Sequence, residues 1–173
     1  MSLTIPVSEN DHIVGDPNTA KIVLVEYGDY ECPHCGNAFP IVKKFVDENR
    51  KDVAFVFRNF PLKDAHPNAM AAAATAEASA KQGKFWEMHD QIFQSHAGLN
   101  VETLEQLVEA VGLDNEIFKE DVKSEELLNK IDEDFEGGVR SGVNGTPSFF
   151  VNGEKWEGYD GTEESLSSLL SNQ

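Results

Sequence analysis

"KIVLVEYGDYECPHCGNAFPIVKKFVDEN", Lys21 to Asn49, reads as strand, turn and helix in succession. Lys21 to Tyr27 is a short β-branched run bounded by turn residues, the signature of a buried strand rather than a helix. Pro33 suits the first position of a helix, where its missing N–H costs nothing. Phe39, Val42, Phe45 and Val46 then recur at helical spacing up to Asn49. "VAFVF", Val53 to Phe57, is a second strand, and a helix joining two such strands predicts a right-handed parallel βαβ unit.

Beyond Lys63 the period turns helical and stays so to Ser141. The segment runs through "NAMAAAATAEASA", then Phe85, His89, Ile92 and Phe93, then Leu104, Leu107, Val108 and Val111 after Asn100 as N-cap, then Leu128, Ile131, Phe135 and Val139. The slim alanine side chains suit close packing against a neighbour. "PSFFVNGEKWEG" returns to strands, Ser148 to Val151 and Glu154 to Glu157, joined by the hairpin dipeptide Asn152-Gly153. Thr162 caps a last helix carrying Leu166, Leu169 and Leu170. The order βαβ, helices, ββα shows no internal repeat, and describes an α/β domain with an all-helical insertion.

The 173 residues suffice for one domain with a sizeable core. Hydrophobic content of 40% and charged content of 26% are ordinary for a globular protein, and no apolar run nears the roughly 18 residues of a membrane span. The net charge of −17 argues against nucleic acid and anionic membrane surfaces as partners. Residues 101–173 carry 18 acidic and 5 basic side chains, which reads as a solvated helical face, with a basic partner as the alternative. The N-terminus has neither a charged nor an apolar leader region, so the sequence is expected to be cytoplasmic if complete and extracytoplasmic or periplasmic if a leader was removed; the second is preferred.

Both cysteines of the chain lie in Cys32-Pro33-His34-Cys35. Thiolate is the nucleophilic form, and a cysteine at a helix N-terminus meets unsatisfied backbone N–H groups and the positive end of the helix dipole. Cys32 is thus the expected nucleophile, and Cys35, one turn along and more enclosed, the resolving thiol. His34 offers a donor or a positive charge, whereas Asp29 and Glu31 oppose the thiolate. Zinc sites use the same cysteine spacing, but there is no second pair, and none of His12, His34, His66, His89 and His96 forms an H-x3–5-H pair. No metal is expected. Two inert structural thiols remain an alternative.

The context favours redox chemistry, since C-x-x-C follows a strand and opens a helix. At these residues the chain resembles the DsbA-like thiol:disulfide oxidoreductases of the thioredoxin superfamily, whose motif is likewise Cys-Pro-His-Cys. The resemblance runs from His12 to Leu170, through "DHIVG", "IVLVEYGDYECPHC", "RNFPL", "HPNAMAAAATAEASAKQGKFWEMHDQIF" and "GVNGTPSFFVNG". It implies a thioredoxin fold with a helical insertion between its βαβ and ββα halves: residues 1–62 and 143–173 form the core, and residues 63–142 an inserted helical subdomain.

The resemblance also implies site roles. Glu26, six residues before Cys32, resembles the buried proton-transfer carboxylate of thioredoxin-like enzymes. Pro40 resembles the proline that kinks their active-site helix. Thr146-Pro147 resembles their cis-proline loop, which faces the motif and offers backbone to an extended substrate. Tyr30-Glu31 departs from the aromatics common there in periplasmic oxidases. The implied activity is donation of disulfides to extended or unfolded cysteine-containing proteins by a monomer, with no cofactor beyond the redox-active Cys32–Cys35 disulfide and with a redox partner to regenerate it. Disulfide reductase, isomerase and a non-enzymatic peptide-binding or chaperone module are the rivals; the roughly 20 residues before the first strand are too few for the dimerisation region of superfamily isomerases.

Overall fold

The computed structural model describes residues 1–171. Its elements run β1 (His12–Val14), β2 (Ile22–Gly28), α1 (Pro33–Glu48), β3 (Val53–Asn59), α2 (Ala69–Lys81), α3 (Phe85–Gln94), α4 (Val101–Val111), α5 (Asn115–Asp121), α6 (Glu125–Arg140), β4 (Ser148–Val151), β5 (Glu154–Trp156) and α7 (Glu163–Ser171). The five strands form one sheet in the order β1-β3-β2-β4-β5. β2 and β3 are parallel, with Val25 opposite Val56, and every other pairing is antiparallel. This is the α/β thioredoxin fold, with helices α2 to α6 between its two halves.

Because side chains alternate across a strand, neighbouring residues of the central strands enter two cores. Leu24, Phe55, Phe57 and Phe149 face the core under α1, α2, α3 and α7. Val25, Val56 and Phe150 face a smaller one under Phe135 of α6 and the N-terminal segment. Both faces are covered, so β2 and β3 are buried nearly throughout, and each fully buried Phe or Val contributes about 1.5–3 kcal/mol. Buried residues of the thioredoxin half and of the insertion belong to one continuous apolar cluster.

The structure adds a strand that the sequence reading lacks, β1, which pairs antiparallel with β3 along the sheet edge. Three residues are too few to show a period, so its strand character comes from its partner. β2 begins and ends one residue later than expected, and β5 stops at Trp156. Helix α1 continues unbroken through Pro40, which lies on its exposed side while Cys35, Ala38, Val42, Phe45 and Val46 face inward. Asn100 caps α4 by accepting the Thr103 N–H at 2.8 Å. Asn152 and Gly153 both take positive φ in the hairpin turn, at 49° and 87°.

The insertion is tied to the sheet by packing and by buried polar pairs. Ala72, Ala76 and Ala78 of α2 are fully enclosed, so the alanine segment does pack closely. At Gly138 of α6 a Cβ would lie 2.8 Å from the ring of Phe60, so the helix needs glycine to approach β3. Asn59, on β3, donates to Glu77 at 2.8 Å and to Asp134 at 3.0 and 3.1 Å, and Glu77 also meets His12. Arg58 pairs with Asp11 at 2.8 and 3.0 Å and donates to the Tyr27 hydroxyl. Buried charges left single would be costly, and each of these four, Asp11, Arg58, Glu77 and Asp134, has an opposite charge or an N–H donor beside it.

Candidate active site

Strand β2 carries the chain to Gly28, and the next four residues turn it into α1. Cys32 is the N-cap of that helix, in extended backbone geometry, with Pro33 at the first helical position and no side chain capping the end. The first-turn N–H groups therefore remain available to the sulfur of Cys32. Both cysteines are free thiols.

The two thiols are driven in opposite directions. Cys32 is lowered to about 5, first by a hydrogen bond from the Cys35 thiol, then by the Thr146 hydroxyl and the backbone N–H groups of Cys35 and His34, all against burial. Cys35 is raised well above the usual thiol range by burial, by its proton serving Cys32, and by the nearby charge of Glu26. Its sulfur also lies 3.5 Å from the Asp29 N–H. One site thus holds a thiolate at neutral pH beside a thiol that keeps its proton.

Thr146-Pro147 precedes β4, and the bond between them is cis. The register of β4 on β2, with Tyr27 opposite Ser148, delivers this loop to the head of α1. The Cys32 thiol points to the Thr146 carbonyl at 3.5 Å. Among the described residues the Thr146 hydroxyl is buried with no hydrogen-bond partner, and it lies near enough to the sulfur to favour its thiolate.

Glu26 lies on β2 between Phe57 and Phe149 of the flanking strands and is 3% exposed. Burial raises its carboxyl to about 8, with a further contribution from the charge of Cys32. Its Oε1 is buried without a partner among the described residues. Glu26 lines a cavity of about 370 Å³ together with Phe39, Val42, Phe55, Trp86 and His89, and the Lys43–Asp90 ion pair, at 2.9 Å, stands at its rim.

The structure thus gathers Glu26, Cys32, Cys35, Thr146 and Pro147 around one sulfur pair. The imidazole of His34 is exposed, and what His34 gives the thiolate is its backbone N–H. Neither Asp29 nor Glu31 is among the chief influences on Cys32, and each carboxylate is engaged by N–H donors. Glu31 accepts the Asn68 backbone N–H at 2.6 Å and its side-chain amide at 3.0 Å. Asp29, 1% exposed, accepts from Glu31 N, Cys32 N, Leu62 N and His66 Nδ1. His66 was not a candidate in the sequence because nothing local links it to a motif 31 residues upstream.

Tyr30 is also buried, its hydroxyl 2.9 Å from His89 Nδ1 and its ring against Phe57 and Phe93. Burial lowers His89 to about 3, so the ring is neutral and belongs to the apolar layer beneath the site. Among the described residues no helix is long and apolar enough to cross a membrane, and no three His, Cys, Asp or Glu side chains cluster as a metal-ligand set.

A thioredoxin family model matches residues 7–172. The Na(+)/H(+) antiporter NhaA 1 of Salinispora arenicola is 40% identical over 91% of this chain, and the match spans 24% of that relative's length. Among solved structures, a thioredoxin-like oxidoreductase from Silicibacter pomeroyi is 27% identical with a TM-score of 0.81, covering 95% of this chain and 92% of that one. The thiol-disulfide exchange protein alpha-DsbA2 from Wolbachia pipientis shares the fold at 19% identity, TM-score 0.81, covering 95% of this chain and 87% of the other.

Proposed function

We propose that this chain, which belongs to the thioredoxin family, is a DsbA-like thiol:disulfide oxidoreductase that donates its Cys32–Cys35 disulfide to extended or unfolded cysteine-containing proteins. The observation that carries the reading is the opposed pair of thiols, with Cys32 lowered to about 5 and Cys35 held protonated one turn away.

In the donating direction a substrate thiolate attacks the Cys32 sulfur of the oxidised pair. The Cys32–Cys35 bond breaks, and Cys35 leaves with the electron pair and takes up a proton. Glu26 is the proposed source of that proton, since near pH 7 its buried carboxyl is still largely protonated. A second substrate thiolate then attacks the substrate sulfur of the mixed disulfide, and Cys32 leaves as the stabilised thiolate. The substrate loses two electrons and the cysteine pair gains them; the disulfide of a redox partner takes them away by a second exchange. The pair is the redox group, so no added cofactor enters the cycle.

Thr146 and Pro147 form the proposed substrate wall beside Cys32, the Thr146 backbone pairing with an extended segment as an added strand does. Donation of disulfides carries an extracytoplasmic location with it, because such bonds persist where glutathione and thioredoxin do not reduce them. The chain spans about a quarter of the length of the antiporter relatives, and the transport in their name is said of those longer proteins.

The deciding experiment mixes oxidised protein with an unfolded, reduced dithiol protein and follows disulfide content by mass. Transfer of one disulfide per molecule, abolished in Cys32→Ser, supports the reading. No transfer, with rapid reduction of substrate disulfides by the reduced form instead, makes it a reductase. Suppression of aggregation that survives Cys32→Ser/Cys35→Ser, without exchange, makes it a binding module.

A further inference from the structure

The exchange cycle makes no use of Asp29, the buried carboxylate next to its turn. Asp29 spreads two oxygens over four donors that join two separate loops. Oδ1 accepts the N–H groups of Glu31 at 2.8 Å and Cys32 at 3.2 Å. Oδ2 accepts the Leu62 N–H and His66 Nδ1, both at 2.8 Å. The backbone N–H of Asp29 reaches Cys35 Sγ at 3.5 Å. One residue therefore holds the backbone of Cys32, touches the sulfur of Cys35 and fastens the turn to the segment after β3.

This arrangement sets a problem for the chemistry. A carboxylate bound to the amide of Cys32 disfavours a thiolate on the same residue. His66 resolves it, because its ring, 20% exposed, meets the fully enclosed Asp29 carboxylate and supplies a compensating charge when protonated. The charged groups that face the ring are Asp29, Cys32 and Glu31. The hydrogen bond to Asp29, the charge of Asp29 and the Cys32 thiolate all raise the His66 pKa, against some burial. The coupling is mutual, so protonated His66 favours the thiolate.

We propose that Asp29 and His66 act as a positioning pair for the nucleophile, in which His66 cancels the charge of the carboxylate that holds Cys32, so that backbone anchoring does not repel the thiolate. The inference rests on Cys32 being the attacking thiol. His66 is protonated below its raised pKa and loses its proton as pH rises through it, so the pair helps Cys32 most at and below neutral pH.

The test measures the pH profile of iodoacetamide alkylation of Cys32 in the reduced full chain, for wild type, His66→Gln, His66→Lys, Asp29→Asn and Asp29→Asn/His66→Gln, with thermal melts alongside. His66→Gln should raise the alkylation midpoint by about one pH unit, a roughly tenfold loss of thiolate below the midpoint. His66→Lys should restore it. The double variant should match Asp29→Asn, because His66 acts through the carboxylate. A wild-type midpoint near 5 that is unmoved in His66→Gln overturns the inference and leaves Cys32 as nucleophile. A wild-type midpoint at the ordinary thiol value overturns both. Should Asp29→Asn fail to fold, the Gln and Lys variants at the partly exposed His66 still decide.

Discussion

The sulfur of Cys32 lies 3.5 Å from the carbonyl oxygen of Thr146, 114 residues further along the chain. The contact exists because β4 pairs with β2, setting the loop before β4 beside the turn after β2. The adjacent Thr146 hydroxyl, buried and without a hydrogen-bond partner among the described residues, helps hold Cys32 low. Thr146→Val keeps the shape and removes that donor. A hydrogen bond to a charged group is worth about 1.5–3 kcal/mol, so the Cys32 midpoint should rise by about one to two pH units. An alkylation profile that superimposes on wild type would show the hydroxyl to be idle.

Replacement of each cysteine separates attack from resolution. Cys32→Ser should abolish exchange, because Cys35 keeps its proton. Cys35→Ser should accumulate a mixed disulfide between Cys32 and substrate, since nothing remains to resolve it. Intact-mass spectrometry distinguishes the two, and adducts gathering on Cys35 in the Cys32 variant would reverse the roles.

The redox potential should carry the mark of the thiolate. With Cys32 near 5 rather than the ordinary 8.5, the reduced form at pH 7 gains about 2.7 kcal/mol, or about 60 mV for a two-electron couple. The gain is full above the ordinary value and is lost as pH falls through 5. One proton then accompanies two electrons above pH 5, so the potential should fall by about 30 mV per pH unit there and about 59 mV below. Titration in glutathione buffers checks both, and a potential at or below roughly −270 mV would favour a reductase.

Glu26 should cost the fold stability. Its raised value means that the folded chain keeps a proton the unfolded chain has lost, so stability falls as pH rises from the ordinary carboxyl range to about 8, and then levels off. Glu26→Leu should therefore stabilise the protein by about 3 kcal/mol at pH 7 and by little at pH 4. The same change should slow the step in which Cys35 changes protonation. Denaturant melts at the two pH values test the first claim; an equal effect at both would mean that Glu26 is ionised in the fold.

The βαβ and ββα halves, the helical insertion and the two thiols were legible in the residues, because period, caps and turns are local. The β-branched run before Pro33, the 3.6-residue spacing after it, and Asn152-Gly153 each act within a few positions. β1 escaped, since three residues on a sheet edge become a strand only when β3 stands beside them. The resemblance, not periodicity, pointed to Glu26 and Thr146-Pro147, and the proximity of Thr146 to Cys32 follows from strand pairing across more than 100 residues. Asp29 illustrates the limit most sharply. In the sequence it is a carboxylate three positions from a thiolate, and proximity alone makes it an opponent. In the fold its charge is spread over three N–H groups and an imidazole from a distant loop, and electrostatic sign at a buried site depends on such partners, which only folding assembles.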